Sequence, residues 1–239
     1  MFENIKDYNP EIDSKMPLKR SPLALVCRGV ILVMTLLFSR HPKDGFTWCK
    51  SMIARRRPLS LTMPWLTFDA IRAISARLGS SSRVFEFGSG HSTLYWCKLG
   101  AEVVSVDHDE LWHARLVQEV KSRGMEDTVH VMFAADRQSY TNSIASAGSK
   151  MFDLVLVDGA FRRESVLAAV GWVAPGGMLV VDNTDWHWFR EVPLQGIPRD
   201  WEQTAYPGYA PMLGHASETT VWVRPETSSL PHACAERLR

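Results

Sequence analysis

Val84-Phe85-Glu86-Phe87-Gly88-Ser89-Gly90-His91-Ser92 reads as a short apolar strand that runs into a glycine loop and then into a helix. Gly88 and Gly90 let the backbone pass close to a ligand with no Cβ in the way, and the first turn of the helix offers N–H donors without intrahelical partners. A dinucleotide fingerprint would put a third glycine near Thr93, and none is there. Outward from this loop, helix and strand alternate. Apolar residues at helical spacing predict a helix over 68–78, with Thr67 at its cap position and Gly79 at its end. Beyond the loop the pattern predicts helices over 92–99, 110–123 and 163–172, strands over 103–106, 129–133, 154–157 and 178–181, and a short helix and loop over 137–150. Runs 154–157 and 178–181 are continuously apolar, as expected of strands covered on both faces. Such alternation implies an α/β fold, a doubly wound, mostly parallel sheet with right-handed crossovers. After Asp182 the pattern changes. Stretches 201–206 and 219–224 flank a loop holding Pro207, Gly208, Pro211 and Gly214 with no helix between them, which predicts a terminal antiparallel hairpin.

The chain has 239 residues, 46% hydrophobic and 22% charged. That is ordinary globular usage and excludes a disordered, collagen-like or disulfide-scaffold class. Lys and Arg number 27 against 26 Asp and Glu, so there is no overall electrostatic footprint for a polyphosphate backbone, and a nucleic-acid partner is not expected. Cys27, Cys49, Cys97 and Cys234 form no CxxC pair and no metal-ligand spacing, which fits a reduced, cytoplasmic setting. The most apolar stretch, 23–38, spans 16 positions, includes Arg28 and has basic residues on both sides. As a helix it reaches about 24 Å, short of the ~30 Å hydrocarbon thickness. A lid helix, an interfacial helix on the inner face of a membrane and a span are the three readings of it. The expected organisation is an N-terminal helical extension over 1–59, a ligand-binding domain over 60–225 and a tail over 226–239.

In an open α/β sheet, ligands bind beyond the carboxyl ends of the strands. Asp107, 17 residues past Gly90, can accept both hydroxyl protons of a ribose, and Asp136 after the third strand can accept from an adenine amino group. The fourth strand ends in Val157-Asp158-Gly159, and the fifth follows Pro175-Gly176-Gly177 and ends in Asp182-Asn183. Glu-x-Gly-x-Gly, an acid after strand two, the run FDLVLVDG, the PGG turn and the closing hairpin together resemble a class I S-adenosylmethionine-dependent methyltransferase over about residues 60–225. The resemblance implies a seven-stranded Rossmann-like sheet and S-adenosylmethionine as cofactor. It places Glu86, Gly88 and Gly90 at the methionine end, Asp107 at the ribose and Asp136 at the adenine. Ser89, Ser92, His108 and Asp158 complete the candidate cofactor set, with cap or surface roles as the plainer reading of His108 and Asp136.

Methyl transfer is an in-line displacement, so positioning supplies most of the acceleration and the nucleophile must be prepared. Asp158, Asp182 and Asn183 stand at adjacent strand ends, where three oxygens can hold Mg²⁺ or another divalent cation. The trio is similar to that of catechol and caffeoyl-CoA type O-methyltransferases. Those families place a Lys shortly after the strand-four Asp, whereas here Gly159-Ala160-Phe161-Arg162-Arg163 follows, and Arg cannot act as a base near neutral pH. The alternative is that these acids shape the pocket by hydrogen bonds with no ion. His187, between Trp186 and Trp188, is a candidate general base beside Asp158. Arg162 and Arg163 can hold an anionic acceptor group or face solvent. The expected activity is O-methylation of a small or glycan-like hydroxylated acceptor. A catalytically silent nucleotide-binding module with membrane or partner contact is the rival reading.

Overall fold

The computed structural model describes residues 22–54, 59, 62–186 and 196–226. Two helices come first, α1 (Pro22–Leu37) and α2 (Lys43–Ala54), followed by α3 (Phe68–Ser75). The alternating body is β1 (Arg83–Phe87), α4 (His91–Lys98), β2 (Glu102–Asp107), α5 (Glu110–Ser122), β3 (Val129–Phe133), α6 (Arg137–Ser146), β4 (Phe152–Val157), α7 (Arg162–Ala169) and β5 (Val173–Asp182). The chain closes with the hairpin β6 (Glu202–Tyr209) and β7 (Ala216–Val223). The seven strands form one sheet in the order β3-β2-β1-β4-β5-β7-β6. β1 to β5 pair in parallel, and β7 runs antiparallel to both β5 and β6. Strand order reverses between β1 and β4, so a crevice opens at their carboxyl ends, where ligands of such sheets bind.

Alternation along β1 explains the two layers. Phe85 and Phe87 pack on one face with Tyr140, Ile144 and Val166, while Val84 packs on the other with Ile71, Leu94 and Leu116. Three expectations shift. Helix α3 stops at Ser75, and past it the Ala76 amide bonds the Arg72 carbonyl and the Arg77 amide tightens onto the Ile74 carbonyl. Thr67 stands at its cap position but donates its hydroxyl to the Tyr206 carbonyl, tying the helix to the edge hairpin instead. Pro175-Gly176-Gly177 lies inside β5 rather than before it. The register with β4 slips there between Phe152 and Leu154, and a Cβ on Gly177 would come within 2.9–3.1 Å of three backbone carbonyls.

Helices α1 and α2 pack on one another and bury Leu32, Leu36 and Trp48 against Phe68. The Trp48 indole donates to the Leu213 carbonyl at 2.7 Å, and Ser51 Oγ accepts from the Met212 amide at 2.8 Å. These bonds fix α2 to the turn between β6 and β7. Among the described residues no helix is long and apolar enough to cross a membrane. The candidate base His187, the basic run 55–57 and the tail from 227 onward lie outside the described residues.

Candidate active site

The loops after β1 and β4 meet backbone to backbone. Gly88 has φ +101°, its amide donates to the Val106 carbonyl, and the Asp158 amide donates to the Phe87 carbonyl. A Cβ at Gly88 would lie 2.6 Å from Gly159 Cα, so both the backbone angle and the space demand glycine. Glu86 works behind this loop. It is wholly buried, its Oε1 accepts from Trp96 Nε1 and its Oε2 from Thr93 Oγ1, whose own oxygen accepts the Gly90 amide at 2.9 Å. The expected place of Glu86 at the methionine end meets a side chain that is bonded within the protein. Strand alternation turns Glu86 toward Thr93 and Trp96, and it supports the loop from beneath without lining the cavity. Burial pushes its pKa up to about 7.

Asp107 faces the cavity with a full complement of donors. Ser89 gives its amide and hydroxyl to Oδ2 at 3.0 and 2.9 Å, the Asp109 amide binds Oδ1 at 3.0 Å, and His108 Nδ1 lies 3.5 Å away. Burial alone would raise this carboxyl's pKa, but the bonds from His108, Asp109 and Ser89 outweigh it and hold it below its ordinary value. In return Asp107 raises the pKa of His108. Gly88, Ser89, Gly90, Ser92 and His108 all border the cavity. His91 borders it too, as a neutral ring. Its Nε2 accepts from the Leu59 amide at 3.2 Å, and burial, with Arg123 adding to it, drives its pKa down to about 4. Asp136 is placed differently from expectation. Its exposed carboxylate accepts from the Ser139 amide and caps α6, while Phe133 and Ala135 form the wall at that end of the cavity.

At the β4 and β5 ends, Arg162 fills the position expected of a cation. Its Nε donates to the Gly159 carbonyl, its Nη1 to the Asp182 carbonyl and to Asn183 Oδ1, and its Nη2 to the Asp158 carbonyl and to Asp158 Oδ1, all at 2.8–3.0 Å. A guanidinium has five N–H donors, and all five are spent inside the protein. Arg162 therefore has no N–H left for an anionic acceptor, although its planar face stacks 5.3 Å from the Trp186 ring. At the trio expected to hold a divalent cation, Arg162 occupies Asp158 Oδ1 and Asn183 Oδ1. Two of the three side chains are bonded to a fixed positive charge, Asp182 Oδ1 accepts from Thr219 Oγ1 at 2.5 Å, and no three His, Cys, Asp or Glu among the described residues group as metal ligands. Burial and the neighbouring Asp158 push the Asp182 pKa up to about 8. Burial also raises that of Asp158, against the pull of Arg162.

The cavity enclosed by these loops measures about 1260 Å³. Small-molecule sites usually span about 300–1,000 Å³, so it has room for a nucleoside cofactor and an acceptor together. Residues 85–184 match a family model described as a methyltransferase domain. Over this stretch the chain is similar to methyltransferase domains, and its sheet has the Rossmann-like methyltransferase fold. Solved structures agree on the fold. A candidate O-methyltransferase of Klebsiella pneumoniae superposes with TM-score 0.54 at 16% identity, over 80% of this chain and 94% of that one. A candidate rRNA methylase of Clostridium thermocellum gives 0.50 at 12% identity, covering 69% and 99%. A candidate methyltransferase of Streptococcus mutans in complex with S-adenosylhomocysteine gives 0.50 at 12%, covering 67% and 99%. A search of curated proteins finds no match.

Three of the residues that line the site stand outside the expected cofactor and catalytic set. Trp65, Trp112 and Leu111 border the cavity, and Trp112 Nε1 holds the Ser89 carbonyl at 2.8 Å. The abundance of tryptophan was the available signal, and three of the nine line the cavity. The titrations give a testable pH profile. Glu86 and Asp182 bind protons more tightly folded than unfolded, where carboxyls titrate near 4, so their contribution to stability falls as pH rises through about 7 and 8. His91 acts oppositely. It resists protonation when folded, so its contribution rises with pH between about 4 and about 6.5. Above pH 6.5 the carboxylates and His108, whose pKa Asp107 raises, slope the same way, and the thermal midpoint is expected to fall from pH 6.5 to 8.5, with a shallower fall in Glu86→Gln. A midpoint rising over that interval would refute the assignment.

Proposed function

We propose that this methyltransferase transfers a methyl group to the hydroxyl of a small acceptor, with Asp158 as the proton acceptor and no metal ion. The donor set fits the cofactor. Asp107 offers carboxylate oxygens to ribose hydroxyls by exchanging the Ser89 hydroxyl bond, Phe133 and Leu111 offer apolar surface to a flat base, and Gly88 to Gly90 leave backbone groups open toward the methionine end. The bound cofactor supplies a methyl group on a sulfonium. Asp158 would hold the acceptor hydroxyl and take its proton when that methyl is transferred.

One observation carries this reading. Asp158 borders the cavity with 28% of its side chain accessible, while Arg162 engages only one of its oxygens, Oδ1. Its raised pKa brings it nearer the range of a useful base than an exposed carboxylate. Asp182, 4% exposed and bonded to Thr219, lies next to this charge and can share the proton it gains. Trp186 and Trp65 stand at the open side as stacking surfaces for a flat acceptor.

The test uses labelled S-adenosylmethionine with pools of hydroxylated small molecules. Asp158→Asn is expected to lower kcat by about 10²- to 10⁴-fold, with affinity for S-adenosylhomocysteine within a few-fold of wild type. Activity is expected to persist in excess chelator. Chelator-dependent loss restored by Mg²⁺, or full turnover in Asp158→Asn, would overturn the reading.

A further inference from the structure

Over residues 29–37 helix α1 is apolar apart from Thr35, and among the described side chains there one side is covered. Leu32 and Leu36 pack inward, whereas Val30, Ile31, Met34 and Phe38 are 46–82% exposed. At 3.6 residues per turn these four fall within an arc of about 100°. Thr35, on the same exposed side, has its hydroxyl bonded to the Ile31 carbonyl, so it offers little polarity outward. Helix α2 repeats the feature with Phe46 and Ile53, 64% and 79% exposed and seven residues apart, with exposed Lys43 and Lys50 along the same side. A surface helix ordinarily carries polar side chains there.

The sequence of this segment is one-sided in charge. Between residues 19 and 57 the sequence holds nine Lys or Arg and a single acid, Asp44, a net +8 against +1 for the whole chain. Even that acid is neutralised, because Arg72 Nη1 binds both its oxygens at 2.9 and 3.0 Å. The remainder of the molecule is therefore net negative, and the positive charge is gathered on the segment that exposes apolar side chains. Its place in the fold matters as well. Trp48 and Ser51 anchor α2 to Leu213 and Met212, in the turn beyond the residues of β7 that pair with the end of β5. The helices thus stand at the end of the sheet where β1 to β5 have their carboxyl ends, as the cavity does.

We propose that α1 and α2 dock the protein on an anionic lipid bilayer, the exposed apolar side chains entering the headgroup boundary and the lysines meeting lipid phosphates. At 16 residues α1 is about 24 Å long and lies along the surface instead of crossing it. Apolar insertion and charge attraction act together, so binding requires acidic lipid and weakens with salt.

The experiment is co-flotation of the full-length protein with phosphatidylcholine vesicles and with vesicles containing 30% phosphatidylglycerol. Binding to the acidic vesicles is expected, with a loss of at least ~10-fold on raising salt from 0.05 to 0.5 M and at least ~10-fold in Ile31→Glu/Phe38→Glu. Lys43→Glu/Lys50→Glu, which touches only exposed side chains, is the second variant and is expected to weaken binding several-fold. Circular dichroism melts identify any variant that fails to fold. Wild-type protein that is folded yet floats with neither vesicle overturns the proposal. So does equal, salt-independent binding to both. Concentration-dependent dimerisation that Ile31→Glu/Phe38→Glu abolishes, without vesicle binding, assigns the surface to a second copy of the chain instead.

Discussion

Arg162→Met is expected to unfold roughly 10 °C below the wild type and to lose most turnover. The substitution leaves the Asp158 carboxylate with no counter-charge, and it strips Asn183 Oδ1 and three backbone carbonyls of a donor at once. Removing one partner of a buried ion pair costs about 3–5 kcal/mol. The pair is 12% and 28% exposed, so solvent relieves little of this cost. For a chain of this size each kcal/mol moves the midpoint about 2–4 °C. Arg162→Lys is the informative companion. It keeps the charge but not the planar fork, so it should recover part of the stability and little of the turnover, because one ammonium cannot hold the ends of β4 and β5 together. A scanning calorimetry series with both variants checks the order wild type, Lys, Met. An unchanged midpoint in Arg162→Met would show that the guanidinium does not organise these strand ends.

Gly88→Ala is expected to be severely damaging for a single added methyl. At φ +101° an alanine is strained by about 1–3 kcal/mol, and its Cβ would press against Gly159 Cα and N at 2.6 and 2.7 Å. Both contacts are backbone, so relief requires moving one of the two loops. Affinity for S-adenosylhomocysteine, measured by calorimetry, is expected to fall at least ~100-fold, about 2.7 kcal/mol. Gly90→Ala provides the contrast. Its backbone is extended, and the nearest atom to an added Cβ is a Trp112 ring carbon at 3.6 Å, an ordinary contact. It should bind within several-fold of wild type.

The strands were legible because burial on both faces forces continuous apolar runs, and 154–157 or 178–181 admit no other reading once turns bound them. Roles at the strand ends were less legible. A carboxylate beside a glycine loop looks like a ligand contact, yet the parity of β1 points Glu86 toward the face that carries Trp96 and Thr93. Asp136 satisfies equally well the pattern of an adenine acceptor and of a helix cap, and local backbone geometry gave it to the cap. The pairing of Asp158 with Arg162 could be read from their four-residue spacing. That the same guanidinium also reaches Asp182 and Asn183, 20 and 21 residues away, follows only from β4 and β5 being neighbours, which local sequence does not state.

The contact of Gly88 with Gly159 has a consequence for anyone redesigning acceptor choice. Two floor segments that touch through main chain alone have no side chains to exchange, so diversity cannot be introduced at their seam. It must come from the walls, at Trp65 on one side and Trp186 on the other. A selection library randomising those two tryptophans, with both glycines kept, is the economical route to new hydroxyl substrates.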